Sequence, residues 1–370
     1  MSPTPISRRT LLSASLLFPL RARAAAETVY FGTYGGGILS ATFDSATGVL
    51  AKPSPAAATD NPSFLVLHPN GKHLYAVGET GEGFLAAFER SGGKLKPLNK
   101  VPARGGAPCH ITLDRTARYA LAANYSGGSV IVYALEANGL LGRETAFVQH
   151  RGSSINPQRQ REPHAHSIRV SPDNRFVLAA DLGLDKLLVY KFDAATGSLT
   201  PHEPAFAKLR PGAGPRHFAF HPAGRFVYVI NELDSTVTTF EFNAAKAVCK
   251  EVLTVSTLPP GAAPGGNSTA EVQVHPTGKF LYGSNRGHDS IAVFALAPDP
   301  GRPRLVENVS TGGATPRNFG IHPSGLWLIA CNQKTNNVQV FAIDPASGRL
   351  KANGPLVGMP SPVCVQFDAR

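Results

Sequence analysis

The chain has 370 residues, of which 42% are hydrophobic and 16% charged, and a formal net charge of +11. Its 37 Gly and 31 Pro are spread between short β-rich runs rather than pooled, which excludes an interdomain linker or a low-complexity tract. No Lys/Arg run of the kind that grips nucleic acid is present, so nucleic acid is excluded as a partner, while a mild basic excess suits an anionic small molecule.

Residues 1–26 read as a targeting segment. Ser7-Arg8-Arg9-Thr10-Leu11-Leu12 is a twin-arginine start, Leu11 to Leu20 is an apolar run too short to span a bilayer, and Ala22-Arg23-Ala24 or Ala24-Ala25-Ala26 offers a small-residue cleavage site. The expectation is export of a folded protein to the periplasm, with no membrane anchor after cleavage. The segment carries Arg8, Arg9, Arg21 and Arg23, so its removal takes the formal charge from +11 to +7.

Residues 27–370 are expected to form one all-β domain built of repeats. The phrase from Gly214 to Glu232, G-P-R-H-F-A-F-H-P-A-G-R-F-V-Y-V-I-N-E, has relatives starting at Pro62, Pro108, His164, Thr269 and Pro316, and a truncated one at Ser361. With His68, Asp114, Ser171, His221, His275, His322 and Asp368 as equivalent points, the repeat length is roughly 46 to 57 residues. About seven such units is the range of propeller blades.

In the second unit the expected strands are His110 to Leu113, Tyr119 to Tyr125 and Ser129 to Leu135, with a weaker fourth near Arg143 to Gln149. β-branched and aromatic residues at period two, bounded by H-P-x-G or S-P-D-N turns, argue for strands over helices. Thr28 to Phe43 supplies middle strands that lack a first strand, and Pro362 to Phe367 supplies a first strand that lacks partners. The two termini together should complete the seventh blade, and such a closed ring is expected to be monomeric.

Hairpin direction then selects one mouth of the ring. The start of each first strand lies beside the end of its second strand. The positions flanking those points are Cys109-His110 with Asn124-Tyr125, His164 and His166 with Asp181, Arg216-His217 with Asn231-Glu232, Glu271 with Asn285-Arg286, and Arg317-Asn318 with Asn332-Gln333. This is a polar list with a surplus of cations and histidines. The His-Pro dipeptides at His68, His221, His275 and His322 lie at the opposite turns and read as scaffold.

A mouth of this kind is suited to acid–base chemistry on an anionic or carbonyl substrate. Arginines can clamp a carboxylate or phosphate and stabilise an oxyanion. A Glu or His can position a water or move its proton. Alternatively, Arg216, Arg286 and Arg317 could pair with Glu232, Glu271 and Asp181 as ties between blades. No metal is expected: His164 and His166 have only Asp181 as a nearby acid. The nucleophile elbow, the phosphate loop and the H-E-x-x-H motif are absent. The four cysteines show no metal spacing and read as buried thiols, with Cys331 and Cys364, on strands of neighbouring repeats, the one candidate disulfide in an oxidising periplasm.

The blocks Gly212 to Pro222, Val229 to Val237, Ala270 to Arg286 and Pro316 to Gly325 resemble the seven-bladed lactonase family, which includes a bacterial type of 6-phosphogluconolactonase and the fungal carboxymuconate lactonising enzyme. The resemblance implies a propeller working without metal or organic cofactor. It also implies active-site roles for His166, Arg216, Glu232 and Arg286, with His164, His217, Arg317, Asn318, Asp181 and Glu271 as further substrate-binding candidates. The expected reaction is hydrolysis of a sugar lactone, glucono-1,5-lactone or its 6-phosphate. A muconate-type lactonising cycloisomerase and a non-catalytic periplasmic binding propeller are the rival expectations.

Overall fold

Second strands such as His73–Gly78, Tyr119–Asn124 and Phe176–Asp181 are buried along their whole length. Their side chains alternate, yet both faces are covered, because each sheet lies between two neighbouring sheets. Fourth strands such as Ser198–Lys208 are mostly open to solvent. Burial therefore runs from an axis outward to a rim, as radial packing requires.

The computed structural model describes Met1 and residues 26–263 and 265–368, so the twin-arginine motif and the apolar run after it lie outside the described residues. The described chain forms seven antiparallel sheets, in chain order 65–102, 108–149, 165–208, 215–256, 268–310, 316–358, and a last one joining 362–367 to 27–57. We call these blades one to seven. In blade two the strands are Pro108–Leu113, Tyr119–Asn124, Ser129–Leu135 and Leu141–Gln149, within two residues of the expected bounds. Blade seven is closed by antiparallel pairing of Glu27–Thr33 with Pro362–Phe367.

The blades are held by apolar layers and by a repeated polar tie. One layer packs Tyr75, Phe88 and Leu85 of blade one against Ile111 and Ile131 of blade two and Tyr30 of blade seven. The tie uses the His-Pro histidines. His221 Nδ1 accepts the Ala223 N–H at 3.1 Å, which leaves Nε2–H to donate to the Gly278 carbonyl of blade five at 3.0 Å. His68 and His275 repeat the arrangement toward Ala117 and Gly325. In blade six, His322 reaches the Glu27 carboxylate instead.

The recurrence of these histidines is thus one hydrogen-bonding unit, used three times with a carbonyl and once with a carboxylate. Replacing His221 with Ala removes two hydrogen bonds and is expected to lower stability by about 1–3 kcal/mol in urea titration. An unchanged midpoint would show that the tie carries no stability.

All four cysteines are unpaired thiols, with Cys109, Cys331 and Cys364 buried. Burial raises the thiols of both Cys331, in the apolar layer between blades six and seven, and Cys364, in the layer that joins blade seven to blade one.

Candidate active site

The first strands line the axis, and a shared irregularity decides which side chains face it. In every blade but the first, the register slips where the strand begins, as at Pro215/His217, Ala165/Ser167 and Pro316/Asn318. Each slip is a β-bulge that inserts one residue: Arg216, His166 and Arg317 in these cases. A bulge re-aims the inserted side chain that strict alternation would send to the other face. As a result two successive positions in one strand, such as Arg216 and His217, both serve the axis.

Just outside this bulge, Gly214 has a φ of 65°, and a side chain there would collide with Leu233. Its N–H donates to Asp185 at 2.7 Å, and its carbonyl accepts the Glu232 N–H at 2.7 Å. The glycine therefore fixes Glu232 beside the strand that carries Arg216.

The polar mouth holds a cleft of about 350 Å³ lined by Glu79, Cys109, Tyr125, Arg159, His166, Glu232, Ser268, Arg286 and Arg317. Arg216, His217 and Asn318 lie on its floor, around a space of about 10 Å³ that shares Glu79, Cys109 and Arg317 with the cleft. Four arginines here face two carboxylates, Glu79 and Glu232. The positive excess makes the mouth attractive to an anion or to a carbonyl gaining charge.

Glu232 is the hub. Arg159 Nη2 donates to its Oε1 at 2.6 Å, while Arg286 Nη2 at 2.8 Å and Arg216 Nε at 3.1 Å share its Oε2. Burial alone would raise this carboxyl. Arg286, Arg216 and Arg159 outweigh burial and hold it down to about 2. A carboxylate so tightly held binds protons weakly, so its chemistry is to fix guanidiniums rather than to accept a proton.

Arg216 is itself nearly spent, donating to Glu232 and to the Ala270 carbonyl at 2.7 Å. Burial, with Arg286 and Arg317 nearby, brings it down to about 10, still protonated at neutral pH. Arg286 donates to Thr269 O at 2.7 Å and keeps an Nε with no partner among the described residues. Arg317 lies over the Tyr34 ring at 5.4 Å and 3.6 Å from Glu79, whose other oxygen accepts from Tyr34 Oη at 2.7 Å. Arg317 and Arg286 therefore have the most donor capacity left for a ligand.

His166 is 4% exposed and lines the cleft. Burial, then Arg216, His217 and Arg317, hold its imidazole well below the usual range, so it is neutral at physiological pH. Its Nδ1 lies 3.4 Å from Cys109 Sγ, and the edge of its ring meets Tyr125. Beneath it, Phe64, His110 and His217 pack ring against ring and close the axis. Glu271 completes this septum, with Oε2 taking hydrogen bonds from Asn318 Nδ2 at 2.6 Å and from His217 Nδ1 at 3.1 Å. Burial pushes Glu271 up to about 7, only partly offset by Arg169 and Arg216. A raised carboxyl is favoured while protonated, so this group costs stability as pH climbs from 4.5 through about 7.

The structure brings His166, Glu232, Arg286 and Arg317 to one cleft and puts Arg216, His217, Asn318 and Glu271 on or below its floor. Asp181 is placed elsewhere: it is fully buried, 2.6 Å from His150 Nδ1, and accepts the His164 N–H at 2.8 Å. That carboxylate organises a loop and is not open to a ligand. His164 stacks on Tyr125 at 4.5 Å, behind the cleft wall. Among the described residues no three His, Cys, Asp or Glu side chains are placed to hold a metal ion.

Two charged wall residues escaped the sequence reading. Glu79 ends the second strand of blade one, in the place that Glu232 occupies in blade four, so the repeat did carry its signal. Arg159 lies between blades two and three, in the connection 150–164, which is longer than those between the other blades. Periodicity could not have found it.

Comparison with known proteins agrees with this architecture. A family model described as "Lactonase, 7-bladed beta-propeller" matches residues 28–367. A 6-phosphogluconolactonase of Bacillus subtilis is 37% identical over 345 residues, covering 91% of this chain and 97% of that protein. One from Formosa agariphila is 33% identical over 286 residues, covering 75% and 80%. The solved structure of a periplasmic gluconolactonase from Pseudomonas aeruginosa superposes with a TM-score of 0.88 at 32% identity, covering 93% of this chain and 99% of that one. The chain belongs to the seven-bladed β-propeller lactonase family.

Proposed function

We propose that this protein hydrolyses a sugar δ-lactone in the cleft at the polar mouth, without a metal ion. The observation that carries the reading is a neutral imidazole, His166, lining the same small cleft as the under-used guanidiniums of Arg286 and Arg317. His166 takes a proton from water as the water oxygen bonds to the lactone carbonyl carbon. Arg286 and Arg317 hold the oxyanion that forms. Collapse breaks the bond to the ring oxygen, which receives the proton from His166, and the product is the open aldonic acid. Glu232 keeps Arg159, Arg216 and Arg286 in register throughout.

For the substrate we favour glucono-1,5-lactone over its 6-phosphate. The twin-arginine segment would deliver the chain to the periplasm, and the name of the Pseudomonas relative joins that compartment to gluconolactone. The polar lining suits a polyhydroxylated ring in either case.

A pH-stat comparison of glucono-1,5-lactone, its 6-phosphate and a muconate, against spontaneous hydrolysis, tests the reading. The expected order is gluconolactone fastest and muconate unchanged. Arg286→Ala should lower kcat on the lactone about a hundredfold through loss of one oxyanion donor. A wild-type rate that never exceeds the spontaneous one would leave a binding propeller instead.

A further inference from the structure

The axis has a second end. Two residues before each turn, the first strands place Val66, Thr112, Arg169, Ala219, Gln273, Gly320 and Gln366 around it, a ring in which Arg169 is the single charge. Most of this ring lines a cavity of about 430 Å³, with Arg115 at its edge and Phe64, Ile111 and Phe220 among its walls. The septum of Phe64, His110, His217, Glu271 and Asn318 separates it from the lactone cleft.

Arg169 is out of balance there. Among the described residues no carboxylate lines the cavity. The Arg169 Nε is buried without a hydrogen-bond partner, and the guanidinium makes no ion pair among the described residues. Burial and Arg115 both press against its charge, and Glu271, within the septum, is the acid that relieves it. Gln273 gives no help, since its amide donates to Phe319 O at 2.7 Å and accepts the Ile321 N–H at 3.1 Å. A half-buried cation left without a partner is costly, and a bound anion would recover part of that cost.

The shape of the deficit indicates the ligand. A guanidinium fork matches a planar carboxylate through two parallel hydrogen bonds. The partly exposed Val66, Leu113 and Phe220 on the cavity walls would cover an apolar body but not the hydration shell of a phosphate or a polyol. We propose that the mouth opposite the lactone cleft is a second binding site, for a small organic carboxylate with an apolar body, held by Arg169 with Arg115 at the rim.

Calorimetric titration of the mature protein in an amine buffer, with benzoate, gluconate and inorganic phosphate as probes, tests this without relying on turnover. Benzoate is expected to bind wild type and Arg286→Ala alike, because Arg286 belongs to the other cavity. Arg169→Gln should weaken benzoate at least tenfold, as loss of a charge-assisted pair predicts. Arg169→Lys, which keeps the charge without the fork, should fall between the two. Absence of saturable benzoate binding to Arg286→Ala overturns the proposal, whatever the fate of the Arg169 variants. Binding unaltered in Arg169→Gln, tighter binding of phosphate or gluconate than of benzoate, or competition between benzoate and the lactone in wild-type kinetics would each overturn it as well.

Discussion

Replacing His166 with Gln is expected to lower kcat on gluconolactone roughly a hundred- to ten-thousandfold while leaving the fold intact. Glutamine retains polarity and much of the volume but cannot carry the water proton to the ring oxygen. The pH profile supplies the sign. An imidazole works as a base only when neutral, and burial with Arg216, His217 and Arg317 holds His166 well below 6.5. Wild-type kcat, corrected for spontaneous hydrolysis, should therefore stay level on descending to pH 6.5 and fall only in more acidic solution. An acid limb centred above 6.5, or a His166→Gln turnover close to wild type, would move the base elsewhere.

The second large effect concerns Glu232. Glu232→Gln removes the charge that Arg159, Arg216 and Arg286 share, leaving Arg216 and Arg286 buried with their charges uncompensated. Breaking such a set by deleting one partner costs about 3–5 kcal/mol. A fall of that order is expected in urea titration at pH 7, together with loss of activity as the arginines separate. Because this carboxyl lies at about 2 when folded and 4.5 otherwise, its contribution is complete above pH 4.5 and is lost as pH falls toward 2. Wild type should thus lose its advantage over Glu232→Gln in acid. Equal stability of the two proteins at pH 7 would show that the three arginines do not depend on this hub.

These assignments differ from the sequence reading in a particular way. The blade count, the closure by both termini and the gathering of polar side chains at one mouth were legible, because each follows from a repeated pattern and from the direction of a hairpin. That Arg216 and Glu232 adjoin was legible for the same reason. Their division of labour was not: whether Glu232 is a base or an anchor depends on how many guanidiniums reach it. One of those, Arg159, comes from a stretch outside the repeat. The pairing of Asp181 with His150 was not legible either, because His150 also lies beyond the repeated phrase. Alternation likewise could not reveal the bulges that bring adjacent side chains such as Arg216 and His217 to the same axis.

The pairing of Glu27–Thr33 with Pro362–Phe367 also governs when this molecule can exist. During synthesis the first strands to emerge must wait for the last, with nearly the whole chain made in between, before their open edge is satisfied. Until then the nascent protein is an unclosed arc with an exposed strand, a template for unwanted pairing. Completion of the ring therefore waits on the synthesis of Pro362–Phe367, and a chain broken off before that strand is a sticky arc instead of a closed ring.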